Sequence, residues 1–478
     1  MATKTTLNAK NLEMLGAARL AALLIEISTG SAVAKRRLRL ELAGAHSPQE
    51  AAREVSKRLA SIARSRSTVT WSNRKALITD LESQLRAITD QIAPADPTEA
   101  LALIWRFLQV ATPLMARCND GSGLVMDVFH AACSALGAVA LAAQPQPDVL
   151  ARAAFDALHD NAHGQYDGLI AILHPALGAE GLAHLKRLIE IMAASPVPVP
   201  PKSEWQIAGY GLGGKVYAHQ IQDRVRQTFV RSALKSIADV SGDVDGYIAQ
   251  CDPETRKTPR IAAEIATRLL AAGRADEALA IIDGAELRDR SAAPEAWQNA
   301  RLDALEALGR MEAAQSARLD YFRHSLSAAH LRAHLKRLPD FDDVEAEDAA
   351  LTCVTTYPAM SAALQFLIHW PALDRAAHMV QQRFRDLDGD QYDILTPAAE
   401  ALSQRYPLAA TLTLRAMIDL TLHAAKSSRY QHAARHLTTC AALAPLIADY
   451  GFFEPHMTYV GRLKRLHIRK AAFWDHVA

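Results

Sequence analysis

The chain has 478 residues, of which 50% are hydrophobic and 6% aromatic, and a formal net charge of +1. One hydrophobic core rarely supports that length, so several domains or a repeat array are expected. The near-neutral balance excludes a protein that is basic throughout. Abundant Ala and Leu with few aromatics argue against a sheet-rich fold. The five cysteines, Cys118, Cys133, Cys251, Cys353 and Cys440, are odd in number and scattered, with no CxxC pair. That excludes a zinc-ribbon signature and a disulfide framework. No run of about eighteen apolar residues is expected to span a bilayer. The stretch around Leu20 to Ile27 is preceded by Asn11 and Glu13 and contains Glu26, unlike a signal peptide. The expected location is cytoplasmic.

The first third reads as successive amphipathic helices. Ser47-Pro48 and Asp96-Pro97 each put a capping side chain before a proline suited to a first helical turn. Between them Leu77, Leu81, Leu85, Ile88 and Ile92 recur at spacings of three and four, one continuous helix face. Apolar stretches follow over 101–115 and 124–141, and another near Ile170 to Leu177 is broken by Pro175. SPVPVPPKS (195–203) is an extended linker, because alternating prolines fix φ and remove donors. These signals divide the chain into an N-terminal helical domain (1–194), a Pro/Gly-rich linker (195–214) and a helical-repeat domain (215–478).

The repeat reading rests on IAAEIATRLLAAGRADEALAIIDGA (261–285). There Ile265, Leu269, Gly273, Ala278, Ile282 and Ala285 stand where a tetratricopeptide-type hairpin needs them. The pattern returns in ARLDALEALGRMEAAQSARLDYF (300–322) with Leu302, Leu305, Gly309 and Ala314. The step from Gly273 to Gly309 (309 − 273 = 36 residues) is close to the ~34 residues of such a repeat. A degenerate copy, AAKSSRYQHAARHLTTCAAL (424–443), offers Ser428, Tyr430, Ala433 and Leu437, and hairpin-like stretches lie at 347–369 and 371–405. One such unit cannot bury its apolar side alone, so neighbours must stack. The expected fold class is all-α: an α-solenoid of tetratricopeptide-like helical hairpins with an N-terminal helical domain.

Three stretches carry a resemblance. They are TTLNAKNLEMLGAARLAALLIEISTGSAVAKRRLRLELAG, HLKRLPDFDDVEAEDAAL, and a tail made of RYPLAATLTLRAMIDLTLHAAKSSRYQHAARHL and FFEPHMTYVGRLKRLHIRKAAFWDHV. Over nearly its whole length the chain resembles a bacterial family of all-helical proteins with no assigned activity. The tail is also similar to the helical-repeat tails of some bacterial SWIM zinc-finger proteins, although the Cys/His zinc motif of those proteins is missing. The resemblance implies the fold and no catalytic residues.

Candidate chemistry is sparse. Gly209 to Lys215 matches GxxxxGK, a phosphate-cradling loop, but Val216 stands where the magnesium-binding hydroxyl belongs and no βαβ pattern surrounds it. The expected structure is a flexible loop leading into a helix near Val216 to Ile237. His159 and His163 would share a face only on a continuous helix, and Asn161 and Gly164 predict that the helix ends between them. His369, His432 and His436 lie among apolar neighbours and read as packed or solvated. No GxSxG elbow or protease-type cysteine signature occurs. Catalytic, cofactor and metal residues are therefore assigned to none, and the chain is read as not an enzyme.

One charged region stands out. Residues 1–91 hold 15 Lys/Arg against 8 Asp/Glu, a local charge of 15 − 8 = +7. Arg36, Arg37, Arg39, Lys57, Arg58 and Arg64 are the candidate nucleic-acid contacts, with Glu41, Glu50 and Glu54 interleaved as helix-spaced partners. A second basic cluster, Arg462 to Lys470, alternates with Leu463, Leu466 and Ile468, as in a helix closing a solenoid. The leading expectation is a non-enzymatic interaction or scaffold protein that binds a protein or peptide partner on its helical-repeat surface. The alternative is a nucleic-acid-associated protein using the basic N-terminal helices. No membrane partner is expected.

Overall fold

The computed structural model describes residues 6–195, 198–211 and 214–477. They are almost wholly helical, with one short two-stranded ribbon. The chain divides into two compact units, Met1–Asp252 and Pro253–Ala478. The expected domain start at 215 differs from this division, because the long helix after the ribbon packs with the first unit.

The first unit contains α1 (Ala9–Glu13), α2 (Ala17–Ser28), α3 (Ala32–His46), α4 (Pro48–Arg64), α5 (Trp71–Arg86), α6 (Pro97–Gln109), α7 (Ala111–Met115), α8 (Leu124–Ala143), α9 (Pro147–His159), α10 (Leu169–Ala194), β1 (Ile207–Gly211), β2 (Gly214–Tyr217), α11 (Ala218–Val240) and α12 (Val244–Ala249). The capping signals work as the sequence predicts. The Ser47 side chain accepts from the Glu50 N–H and that of Asp96 from the Glu99 N–H. The Leu77–Ile92 face is continuous, but its last part, Ala87–Ile92, winds as a π-helix.

α8 is long and apolar enough to cross a membrane by length and composition, which the sequence reading did not anticipate. In this unit it is a core helix. Val125, Phe129, Ala132 and Leu136 are fully buried, and it packs on α6 and α10. α10 carries Pro175 and breaks just beyond it, at Gly178, where φ is 58° and ψ −170°. Arg226 of α11 donates to the Met192 and Ser195 carbonyls at 2.9 and 2.6 Å, satisfying the end of α10. Ala233 and Ile237 of α11 are buried in the same core.

The second unit runs α13 (Pro253–Arg256), α14 (Pro259–Ala271), α15 (Ala275–Asp283), α16 (Glu295–Ala307), α17 (Met311–Ser325), α18 (Ala328–Leu335), α19 (Asp342–Thr355), α20 (Met360–His369), α21 (Leu373–Gln382), α22 (Tyr392–Ser403), α23 (Pro407–His423), α24 (Tyr430–Leu443), α25 (His456–His467) and α26 (Ala471–Trp474). Consecutive helices pack on each other and on the next but one, which is the contact pattern of stacked hairpins.

Among the described residues of the second unit one turn is used four times. The N–H of Arg274, Arg310, Ala372 and Lys426 reaches back to the carbonyl of Leu269, Leu305, Leu367 and Thr421, at 2.8 to 3.1 Å. This six-to-one bond is the Schellman closure of a helix end, and it wants the preceding residue at positive φ. Gly273 (75°), Gly309 (69°) and Ala425 (52°) occupy that place in three of the turns, and Pro371 in the fourth. Five residues after the first three of these turns in chain order come Ala278, Ala314 and Ala376, all fully buried where the paired helices meet.

Candidate functional site

The GxxxxGK match falls in a ribbon among the described residues. Gly209–Gly211 and Gly214–Lys215 lie in an antiparallel ribbon, with Gly209 opposite Val216, Tyr210 opposite Lys215 and Gly211 opposite Gly214. Leu212 and Gly213 lie outside the described residues. A ribbon directs its N–H groups to the partner strand instead of converging them on an anion, and α11 starts only at Ala218. The ribbon is not the expected flexible loop either, since Trp205 packs on Tyr217 and His219 with ring centroids 4.8 and 4.9 Å away.

The histidine segment closes on itself. α9 ends at His159, whose ring meets Phe229 edge-on at 5.9 Å. Asn161 accepts from the Tyr166 N–H and donates to Asp167, both at 2.8 Å, and Gln165 donates to the Asp160 carbonyl. The structure does not bring His159 and His163 together. Asn161 and Asp167 line a mainly apolar cavity of about 800 Å³ with Ile221, Val225 and Phe229 of α11.

The basic stripe is divided by its partners. Arg58 grips the buried Asp80 through Nε at 2.8 Å and Nη2 at 2.5 Å, and Arg36 stands 3.7 Å from the same carboxylate. Lys57 pairs with Glu54 at 2.8 Å, and Arg64 Nε donates to the Ala60 carbonyl of its own helix. Arg37 and Arg39 are exposed. Four of the six candidates thus have a partner, and two serve the interior. Close by, Trp71 is 84% exposed at the start of α5, one helical turn from the exposed Lys75.

Sequence reasoning overlooked the second unit's cavity, which is also about 800 Å³. One face of α23 (Leu412, Arg415, Ala416, Asp419, Leu420, His423) forms one wall, and α25 adds Tyr459, Arg462 and Leu466. The 384–389 turn approaches α23 so closely at Gly389 that an added Cβ would lie 2.1 Å from the Ala416 carbonyl oxygen. Phe384, Phe452 and Phe453 make an aromatic corner, with Phe452 and Phe453 centroids 4.1 Å apart and Phe384 edge-on to Phe453 at 5.0 Å.

A polar ladder stiffens this cavity. Arg462 bridges Glu454 at 2.9 Å and Asp419 at 3.2 Å, and the buried Tyr459 hydroxyl donates to Asp419 at 2.9 Å. Burial first, then the Asp419 charge, pushes the Tyr459 hydroxyl well above the usual phenol range, so it stays a donor. Arg415 is only 6% exposed. Its Nη1 donates to the Glu454 backbone carbonyl at 2.7 Å, and its guanidinium carbon lies 4.3 Å from the Tyr459 ring centroid. Among the described residues its Nε and Nη2 have no acceptor. Burial, then the Arg415 charge, lowers the pKa of His456 from its ordinary value.

These features can hold a ligand but do not assemble a nucleophile with a base. Among the described residues no group of three or more His, Cys, Asp or Glu side chains is arranged to hold a metal ion. Cys133 and Cys440 are buried, and burial pushes their thiols up to about 11 and about 12, far from a reactive thiolate.

An all-helical chain with a hairpin stack and a mixed apolar–polar cavity defines a structural class. Residues 2–476 match the family of unknown function DUF6880, and the chain belongs to that family. No curated protein matches. A solved structure described as a "Circular tandem repeat protein with novel repeat topology and enhanced subunit contact surfaces" aligns over 95% of this chain and 98% of that chain, at 12% identity and a TM-score of 0.15.

Proposed function

We propose that the protein is a non-enzymatic interaction protein that seats a peptide segment of a protein partner on the second unit's tetratricopeptide-like hairpins, with the α23–α25 cavity as the docking point. The observation that carries this reading is the cavity's rim, where Phe452 is 80% and Leu466 65% exposed around a fixed polar ladder. Large apolar side chains held beside oriented polar groups are the composition of a recognition pocket. The test is a pull-down from native lysate with the wild type and with Phe452→Ala/Leu466→Ala, two surface changes that leave the core intact. A partner retained by the wild type and lost by the pair supports the reading. Equal recovery by both proteins overturns it.

A second reading is nucleic-acid binding by the first unit, favoured by the exposed Trp71 beside Lys75, with Arg37 and Arg39 as free phosphate contacts. Gel shifts at two salt concentrations check it, because phosphate-driven affinity falls steeply with salt. Absence of a shift at low salt removes it.

A further inference from the structure

Burying a guanidinium is costly unless its N–H groups find acceptors, and a carboxylate is the usual answer. Among the described residues the one other buried arginine, and the half-buried Arg58, follow the rule. Arg58 has Asp80, and Arg318 has Glu306. Arg415 departs from it. Both carboxylates beside it, Asp419 and Glu454, are engaged by Arg462, and among the described residues none forms an ion pair with Arg415.

The departure is not confined to one side chain. Thr411 Oγ1, one turn before Arg415, is also buried without a protein partner, as are Tyr450 Oη and His456 Nδ1. Tyr450 and His456 come from the chain between α24 and α25, which passes Arg415: the Tyr450 ring centroid is 5.9 Å from the guanidinium carbon. Native interiors leave few such atoms, and several together around a buried cation are the imprint of a group that the fold itself does not supply.

We propose that Arg415 anchors a carboxylate of the bound peptide, with Tyr450 Oη as an added donor and the Phe384–Phe452–Phe453 corner taking an adjacent apolar side chain. A carboxylate fits because it accepts two parallel N–H bonds from the Nε–Nη2 edge of a guanidinium. Arg415 lines the cavity, and the proposal has its buried Nε–Nη2 edge turn toward an entering group. The aromatic corner accounts for a peptide rather than a free ion. A small inorganic anion would leave it uncovered. The inference rests on the docking reading above and adds the chemistry of the ligand.

The test uses the full chain and an array of N-acetylated hexapeptides ending in two apolar residues, each made with a free C-terminal carboxylate and as its carboxamide. Affinities are measured for the wild type, Arg415→Met, Tyr450→Phe and Phe452→Ala, with inorganic phosphate as a separate probe. The expected result is that the best carboxylates bind at least about tenfold more tightly than their carboxamides, in line with a charge-assisted hydrogen-bonded pair. That preference disappears in Arg415→Met and shrinks severalfold in Tyr450→Phe, while Phe452→Ala weakens both members of a pair. Equal binding of both members, still lost in Phe452→Ala, overturns the carboxylate assignment and leaves the docking reading standing. Binding of neither member overturns both. Phosphate binding that depends on Arg415, without any peptide preference, overturns the peptide source. Failure of Arg415→Met to fold would show that Arg415 is a structural strut and overturn its ligand role.

Discussion

Two arginine sites, one around Asp80 in the first unit and one at Arg415 in the second, are treated in opposite ways. In the first unit, Arg36 and Arg58 converge on Asp80, a carboxylate only 5% exposed, which also accepts from Gln84 at 3.2 Å. In the second unit, Arg318 meets Glu306 in the same manner, but Arg415 meets a backbone carbonyl and the face of Tyr459. A guanidinium answered by a carboxylate ties helices together, so removing one partner leaves an uncompensated charge. One that the fold leaves partly unanswered adds little to stability and remains available to a ligand. The contrast separates arginines that the fold pairs with a carboxylate from one that it does not.

The largest expected effect lies in the first unit. Asp80→Ala strands two guanidiniums and is expected to cost about 3–5 kcal/mol, read as a lower denaturation midpoint. A loss below about 1 kcal/mol would show that water answers Arg36 and Arg58 and would erase the contrast.

Next comes acid. Burial, the leading cause in each case, lowers the pKa of His330, His334, His436, His456 and His467, all in the second unit. As pH falls through the unfolded value of about 6.5, the unfolded chain takes up protons that the folded unit refuses. Stability is therefore fully present above that pH and declines below it, until the lowered folded values are passed. Amide hydrogen exchange at pH 7.5 and pH 5.5 should show protection falling across the hairpins that hold these histidines. Unchanged protection there would contradict the burial argument.

The seams and turns sharpen the account with smaller effects. Ala314→Leu pushes a bulky side chain into a fully buried helix contact and should cost about 1–3 kcal/mol in chemical denaturation. Ala425→Gly should instead stabilise by up to about 1 kcal/mol, because φ is 52° there and glycine adopts it without strain. A stabilised Ala314→Leu or a destabilised Ala425→Gly would mean that the shared turn geometry does not govern these hairpins.

What could be read in the sequence follows from the same physics. Gly273 and Gly309 announced their turns because a residue at positive φ favours glycine, and the buried alanines followed at constant spacing. Pro371 and Ala425 occupy the equivalent place without that signature, so the first region read only as hairpin-like stretches and the second as a degenerate copy. The positive stripe was legible as charge. Its division was legible only at Lys57, whose partner Glu54 is helix-spaced, because Asp80 lies 22 residues from Arg58 and no helical spacing links them. Arg415 was the least legible of all. TLTLRAMIDL reads as a helix with one solvated arginine, and only Tyr459 and Glu454, some forty positions later, enclose it. The ribbon at 207–217 failed in the other direction, since a glycine-rich stretch reads as a flexible loop and strands of five and four residues are too short to show alternation.

The most direct test of the contrast pairs Arg58→Met with Arg415→Met and measures the unfolding free energy of each full-length protein in the same buffer, without ligand. The account predicts a loss of about 2–4 kcal/mol for Arg58→Met, which deprives Asp80 of its main partner, and no loss or a slight gain for Arg415→Met, which removes a cation that no carboxylate pairs. A loss for Arg415→Met as large as that for Arg58→Met would contradict it, and would make Arg415 a structural strut like the others.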